Sequence, residues 1–304
     1  MNQPILPQSA VEIDTQRLAR RKFLAQAGLL SLGGAASLAA AAHPAFAREH
    51  DSAAEAAQES AQARDTVKEI FTAALIAEDL ASTFYYNGLI GSVIQDPNLA
   101  GPGGSATDVS SAGDSGNVDY LRAALTQELQ HAALFRSLLG ISAAAHDPVQ
   151  TFYFPAGTFD SLSTFTAILD ALENAFIGAY LNAIQEFAAK SANARRGDGA
   201  WRKPADHAYT REQLDYFAKV AASIMGVEAE HRVLGRVISS TNPANNLNYE
   251  STDGLNAVYN GSHSAVAALT PFLTSSTGPG YSLETVTMHQ ADVALPISGG
   301  PPSF

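Results

Sequence analysis

The stretch Ala222-Ser223-Ile224-Met225-Gly226-Val227-Glu228-Ala229-Glu230-His231 sets a carboxylate and an imidazole three residues apart inside an apolar run. On a helix, residues three or four apart share a face, so Glu228 and His231 can reach one point in space. The spacing recurs at Glu128-Leu129-Gln130-His131, and of the eight histidines only His131 and His231 have a glutamate three residues before them. Two such motifs in matching frames carry far more information than one.

Around these motifs the chain predicts four long helices. The first runs from about Thr66 to Ile90 and the second from about Val118 to Leu139. The third covers about Ser161 to Ala192, with Asp160 or Ser161 as its N-cap, and the fourth about Arg211 to Ser239. Thr210 and Gln213 form a capping box ahead of the fourth, and Asn242-Pro243 stops it. Stepping by three and four along each apolar stripe meets a glutamate in mid-stripe every time. These are Glu78 after Phe71 and Leu75, Glu128 after Leu121 and Leu125, Glu173 after Phe165 and Leu169, and Glu228 after Val220 and Ile224.

A lone carboxylate in a core costs several kcal/mol even after relaxation. Four converging carboxylates would repel and take up protons unless cations neutralised them. Two divalent ions supply the matching charge. One glutamate on each of two helices, with Glu-x-x-His on each of the other two, is the ligand set of di-metal carboxylate bundles. The candidate ligands are therefore Glu78, Glu128, His131, Glu173, Glu228 and His231. A plain bundle with buried Glu–His hydrogen bonds leaves the charge excess unexplained.

An internal repeat reinforces this reading. Glu78-Asp79 and Glu173-Asn174 are each followed by a tyrosine seven residues after the glutamate, Tyr85 and Tyr180. His131 and His231 are each followed five residues later by an arginine, Arg136 and Arg236. The tyrosines are expected as core residues with hydroxyl partners, and the arginines as ion pairs beside the site or at the surface.

Composition narrows the chemistry. The 304 residues contain no cysteine, which excludes disulfides, zinc–thiolate sites and iron–sulfur clusters and leaves oxygen and imidazole as ligands. With 46% apolar and 16% charged residues, a sizeable core can form. A net charge of −12 argues against nucleic acid as a partner. The N-terminus predicts export. Arg20-Arg21-Lys22-Phe23-Leu24 precedes an uncharged run from Ala25 to Ala42 and a small-x-small cleavage site at Ala45-Phe46-Ala47. The paired arginines resemble a twin-arginine signal, which carries folded proteins, often with a cofactor already loaded. Cleavage after Ala47 would leave 14 basic and 28 acidic residues, and no membrane span.

The expected organisation is a signal over 1–47, a polar linker over 48–64, the bundle over 65–240 and a C-terminal extension over 241–304. Two irregular loops are expected, at Asp96–Asn117 and Asn193–Ala208. An aromatic crossover joins the second and third helices through Thr151-Phe152-Tyr153-Phe154-Pro155. The extension offers one short helix, about Ser262 to Leu273, and otherwise reads as a flexible tail.

Over about residues 65 to 275 the chain resembles the ferritin-like domain proteins of bacteria and their plant relatives, the desiccation-related proteins. The resemblance rests on Ala77-Glu78-Asp79-Leu80 with Phe84-Tyr85, on Glu128-Leu129-Gln130-His131, and on Ala171-Leu172-Glu173 with Ala179-Tyr180-Leu181. It rests also on the quoted stretch around Glu228 and on Leu269-Thr270-Pro271-Phe272. It implies an all-α, ferritin-like four-helix bundle with a long crossover between the second and third helices. It also implies that Glu128 and Glu228 bridge two ions, that Glu78 and Glu173 are terminal ligands, and that each histidine binds one ion. Iron is favoured and manganese is compatible with the same donors. The expected activity is oxidation of ferrous iron or reaction with dioxygen or peroxide, with a manganese catalase-like activity as a second enzymatic option. The competing expectation is a non-enzymatic, stress-protective envelope protein, periplasmic or extracellular, whose metal pair staples the bundle. Ala81 and Thr83 stand where family members often carry further acidic residues, and the long loops do not suit a storage shell.

Overall fold

A computed structural model of the chain describes residues 65–96, 99, 116–195, 206, 208–241, 244–245 and 265–296. The expected signal and linker lie outside the described residues. So do most of the two expected loops and residues 246–264 and 297–304.

Four long helices form the body, as expected: α1 (Val67–Ile90), α2 (Asn117–Leu139), α3 (Leu162–Arg195) and α4 (Arg211–Ile238). Their ends follow from local chemistry. Thr66 and Glu69 close a capping box on α1, and Thr210 and Gln213 close the expected one on α4. Ser161 Oγ accepts from the Thr164 amide at 3.3 Å, so Ser161 rather than Asp160 caps α3. Gly140, at φ 71°, turns the chain out of α2 while its amide bonds back to Arg136 and Ser137.

The apolar core divides into two slabs. One gathers Val67, Phe71 and Leu75 of α1 with Phe135 of α2, Tyr180 and Phe187 of α3, and Leu214, Phe217 and Ile224 of α4. The other gathers Leu80, Phe84 and Leu89 with Leu121, Leu125, Phe165, Leu169 and Ile238. The start of α1 thus lies beside the end of α2, and the end of α3 beside the start of α4, so each pair is antiparallel. Between the slabs, all four helices present their mid-stripe glutamates. The sequence period therefore sets not one core but two, with a polar layer between them.

The C-terminal extension departs from expectation. The short helix is present as α5 (Ala265–Leu269), running into a 3₁₀ turn at Thr270–Leu273. The reading of the rest of the extension as a flexible tail is overturned over residues 280–293. There a strand, Gly280–Ser282, and an eleven-residue helix, α6 (Leu283–Val293), fold onto the bundle. Taking the crossover strand Thr151–Tyr153 as β1 and Gly280–Ser282 as β2, the two pair antiparallel, Phe152 opposite Tyr281. Ser282 caps α6 by accepting from the Glu284 amide at 3.2 Å. Leu283, Val286 and Val293 are its buried face. These apolar residues are too few to announce a helix alone, because the partner surface comes chiefly from α1, far away in the sequence.

From the last residue of α6 onward the chain clasps α2. Arg122 Nε donates to the Val293 carbonyl at 2.8 Å, and the Leu295 amide donates to Thr126 Oγ1 at 2.9 Å. Among the described residues, no helix is long and apolar enough to cross a membrane.

Candidate metal centre

The polar layer holds all six residues expected from the sequence. Glu78 comes from α1, Glu128 and His131 from α2, Glu173 from α3, and Glu228 and His231 from α4. Their ligand atoms form two overlapping groups. Glu78, Glu128, His131 and Glu228 each offer one atom within 4.8 Å of the others, and so do Glu128, Glu173, Glu228 and His231. Glu128 and Glu228 belong to both.

Both imidazoles turn Nδ1 inward. His131 Nδ1 lies 3.2 Å from Glu78 Oε2, 3.5 Å from Glu128 Oε2 and 3.4 Å from Glu228 Oε1. His231 Nδ1 lies 2.8 Å from Glu128 Oε1, 3.5 Å from Glu228 Oε2 and 4.0 Å from Glu173 Oε1. Yet both oxygens of Glu128 and of Glu228, Glu173 Oε2 and His231 Nδ1 are buried without an aligned hydrogen bond. Buried polar atoms are rarely left so. Six unsatisfied atoms facing one volume fit a cationic guest, and oxygen with imidazole suits iron, manganese or zinc.

The electrostatics make the same point. Burial pushes the Glu78 carboxyl well above its ordinary range; His131 opposes this, while Glu128 and Glu228 add to it. Burial and then the neighbouring Glu228 push Glu173 up in the same way. Burial would raise Glu128 too, but attraction to His231 and the close approach of both imidazoles outweigh it and hold that carboxyl below the usual range. Burial disfavours charged imidazoles, yet Glu78 beside His131 and Glu128 beside His231 push both histidines above their ordinary value. Without ions, the layer is thus held together by protons on groups that would release them to a metal.

The tyrosines of the repeat exchange partners. Tyr85, on the helix of Glu78, donates to Glu173 Oε1 at 2.5 Å, and Tyr180, on the helix of Glu173, donates to Glu78 Oε1. Burial, then the adjacent glutamates, raises both phenols, which keeps them protonated as donors. Each hydroxyl occupies one oxygen of a carboxylate found in only one ligand group.

Behind the site, Arg136 bridges Asp79 and Asp147, at 2.6 Å to each. Arg232 donates to Asn174 Oδ1 at 3.1 Å, and Arg236 pairs with Asp170 at 3.3 Å. The expected ion pairs of Arg136 and Arg236 are therefore present, one layer out from the ligands. Sequence reasoning missed Gln127, whose Oε1 lies 2.8 Å from His231 Nε2, along with Asp147, Asp170 and Arg232. The contact of Gln127 is to another helix, and no spacing within α2 signals it.

The fold and the layer together define the class: an all-α, ferritin-like bundle whose clustered glutamates and histidines could hold metal. A family model described as ferritin-like domain matches residues 66–197, which take in α1, α2 and α3. No curated protein and no solved structure matches the chain. The family match ends before α4, so Glu228 and His231 join the site through the fold alone.

Proposed function

We propose that this protein is an exported di-metal protein whose centre is held by Glu78, Glu128, His131, Glu173, Glu228 and His231. The carrying observation is that Glu128 and Glu228 belong to both ligand groups. In this reading both would be shared between two ions, while Glu78 and Glu173 would each serve one ion, as would each histidine. Iron is the favoured metal, with manganese as the alternative. Two redox-active ions, when bound, would supply electrons for the reduction of dioxygen or peroxide, with ferrous iron as electron donor. The chain's own residues hold the ligand set, keep bulk water out between two apolar slabs, and fix the terminal carboxylates through Tyr85 and Tyr180. The paired arginines at Arg20-Arg21 support export after folding, to the periplasm or beyond.

One observation favours a second reading. Five of the six ligand side chains are at most 4% exposed, which suits a pair of ions that staples the bundle of a stress- or desiccation-protective protein without turnover. Metal analysis of the purified protein, followed by oxygen consumption with ferrous iron, separates the two. Two ions per chain with oxygen uptake supports the oxidase. Two ions, no uptake with iron or peroxide, and a lower melting temperature on chelation support the staple. A protein that binds no metal and melts identically with and without chelator overturns both.

A further inference from the structure

The near-symmetry of the two ligand groups breaks one shell out. His231 is 4% exposed, and its Nε2 meets Gln127 Oε1 at 2.8 Å. With Nδ1 facing the carboxylates, Nε2 carries the proton and donates it to Gln127. When the ring gives up its second proton to an arriving ion, that bond leaves the lone pair on the inward nitrogen. The Tyr85 ring packs edge-on against the same imidazole, centroids 5.7 Å apart, while its hydroxyl holds Glu173. His231 is therefore set before any ion arrives, whereas the two terminal carboxylates are held alike, Glu173 by Tyr85 and Glu78 by Tyr180.

His131 has neither support. It is 13% exposed, the highest of the six. Among the described residues its one aligned hydrogen bond is from Nδ1 to Glu78, the bond an ion there would displace. No ring contact is found for it among the described residues, whereas His231 has Tyr85. Ligand imidazoles with an acceptor on the far nitrogen hold metal more tightly, and losing that acceptor typically costs about 10- to 100-fold in affinity. The buried arginines do not reverse this ranking, because Arg232, Arg236 and Arg136 each face acceptors of their own, Asn174, Asp170 and the Asp79–Asp147 pair.

We infer that the two ion positions are unequal: the ion at Glu173 and His231 is the tightly held one, the ion at Glu78 and His131 is the weaker, exchangeable one, and Gln127 is the positioning residue that sets the difference. This rests on the di-metal reading and goes beyond it by ranking the positions.

Repulsion between neighbouring ions splits binding into two steps even in a symmetric site, so the step separation alone decides nothing. The test uses single-ligand variants of the full chain, freed of metal and titrated with Co²⁺ by equilibrium dialysis and visible absorption. His131→Ala should keep one ion at the wild-type first-step affinity, within about threefold. His231→Ala should keep one ion bound about 10- to 100-fold more weakly. Gln127→Leu should weaken the first step by the same factor and leave the second within about threefold, and Gln127→Glu, which keeps an acceptor, should restore it. Metal-free melting curves check that Gln127→Leu folds, and the two histidine variants decide the ranking without it. Equal losses in the two histidine variants, or the larger loss in His131→Ala, overturn the inference. Wild type binding no Co²⁺ sinks the di-metal reading instead. Wild type binding one ion, kept in His131→Ala and lost in His231→Ala, upholds the ranking while refuting the pair.

Discussion

The polar layer and the aromatic end of the bundle are built on opposite terms. In the layer, four buried carboxylates and two imidazoles crowd one volume, and spacings within single helices put them there. At the end nearest β1 and β2, Phe84 stacks on Phe165 with centroids 4.7 Å apart, while Phe154 and Phe159 close on Tyr281 at 5.6 and 5.0 Å. Those rings come from α1, the crossover, α3 and the C-terminal extension. A side chain at Gly88 would overlap the Phe165 ring, so the stack needs that glycine. The end gains by excluding water, whereas the layer gains only when something cationic enters it. Stability and chemistry are thus assigned to different storeys of one bundle.

The sharpest way to break this division is to damage the end and look at the layer. Phe154 is fully buried, and Phe154→Ala should cost about 3–5 kcal/mol in chemical unfolding. Metal content per folded chain should stay at the wild-type value. Loss of bound metal in the folded variant would show that the layer leans on the aromatic end.

The reciprocal change comes next. Glu128→Ala removes a carboxylate shared by both ligand groups and the charge facing His231. Breaking a buried charge cluster costs roughly 3 kcal/mol. The loss should show in metal-replete protein with metal content falling toward zero. An unchanged metal content would remove Glu128 from the bridging role.

The two storeys also differ in how far the sequence announces them. The layer was legible because its signal is local: Glu128 and His131, or Glu228 and His231, are one helical turn apart, and an apolar stripe interrupted by glutamate stands out within a single segment. The four helices and the capping box at Thr210 were legible for the same reason. The aromatic end was not. Thr151–Tyr153 finds its partner at Gly280–Ser282, and α6 buries only Leu283, Val286 and Val293. A three-residue strand and a three-residue apolar face fall below what periodicity resolves. Gln127 was hidden in another way, since its acceptor oxygen matters only because α4 brings His231 opposite.

A smaller and conditional effect comes from protons. In the metal-free fold, Glu78, Glu173, His131 and His231 all have raised pKa values. A raised group stabilises the fold fully below its unfolded value, about 4.3 for Glu and 6.5 for His, and that contribution shrinks as pH rises toward the folded value. Chelated protein should therefore lose stability from about pH 5 to pH 8. Bound ions require ionised carboxylates and neutral imidazoles, so the loaded fold has the opposite slope for these groups. The gap in melting temperature between loaded and chelated protein should widen across that window. A constant gap would mean that metal does not replace protons in the layer.

The smallest effect probes the seam where the storeys touch. Thr126 lies two residues before Glu128 on α2, and its Oγ1 accepts from the Leu295 amide at 2.9 Å. Thr126→Val keeps the shape and removes the hydroxyl, which should cost about 1 kcal/mol and free the segment after α6 from α2. Circular dichroism during unfolding reads the stability, and Co²⁺ titration reads the site. If the division holds, stability falls slightly and both Co²⁺ steps stay where they were, because the helix itself, and not the clasp on its outer face, positions Gln127, Glu128 and His131. A shift in the first step would instead place the C-terminal segment behind Gln127 as part of the support for the held ion. The extension would then belong to the chemistry of the layer and not only to the packing of the end.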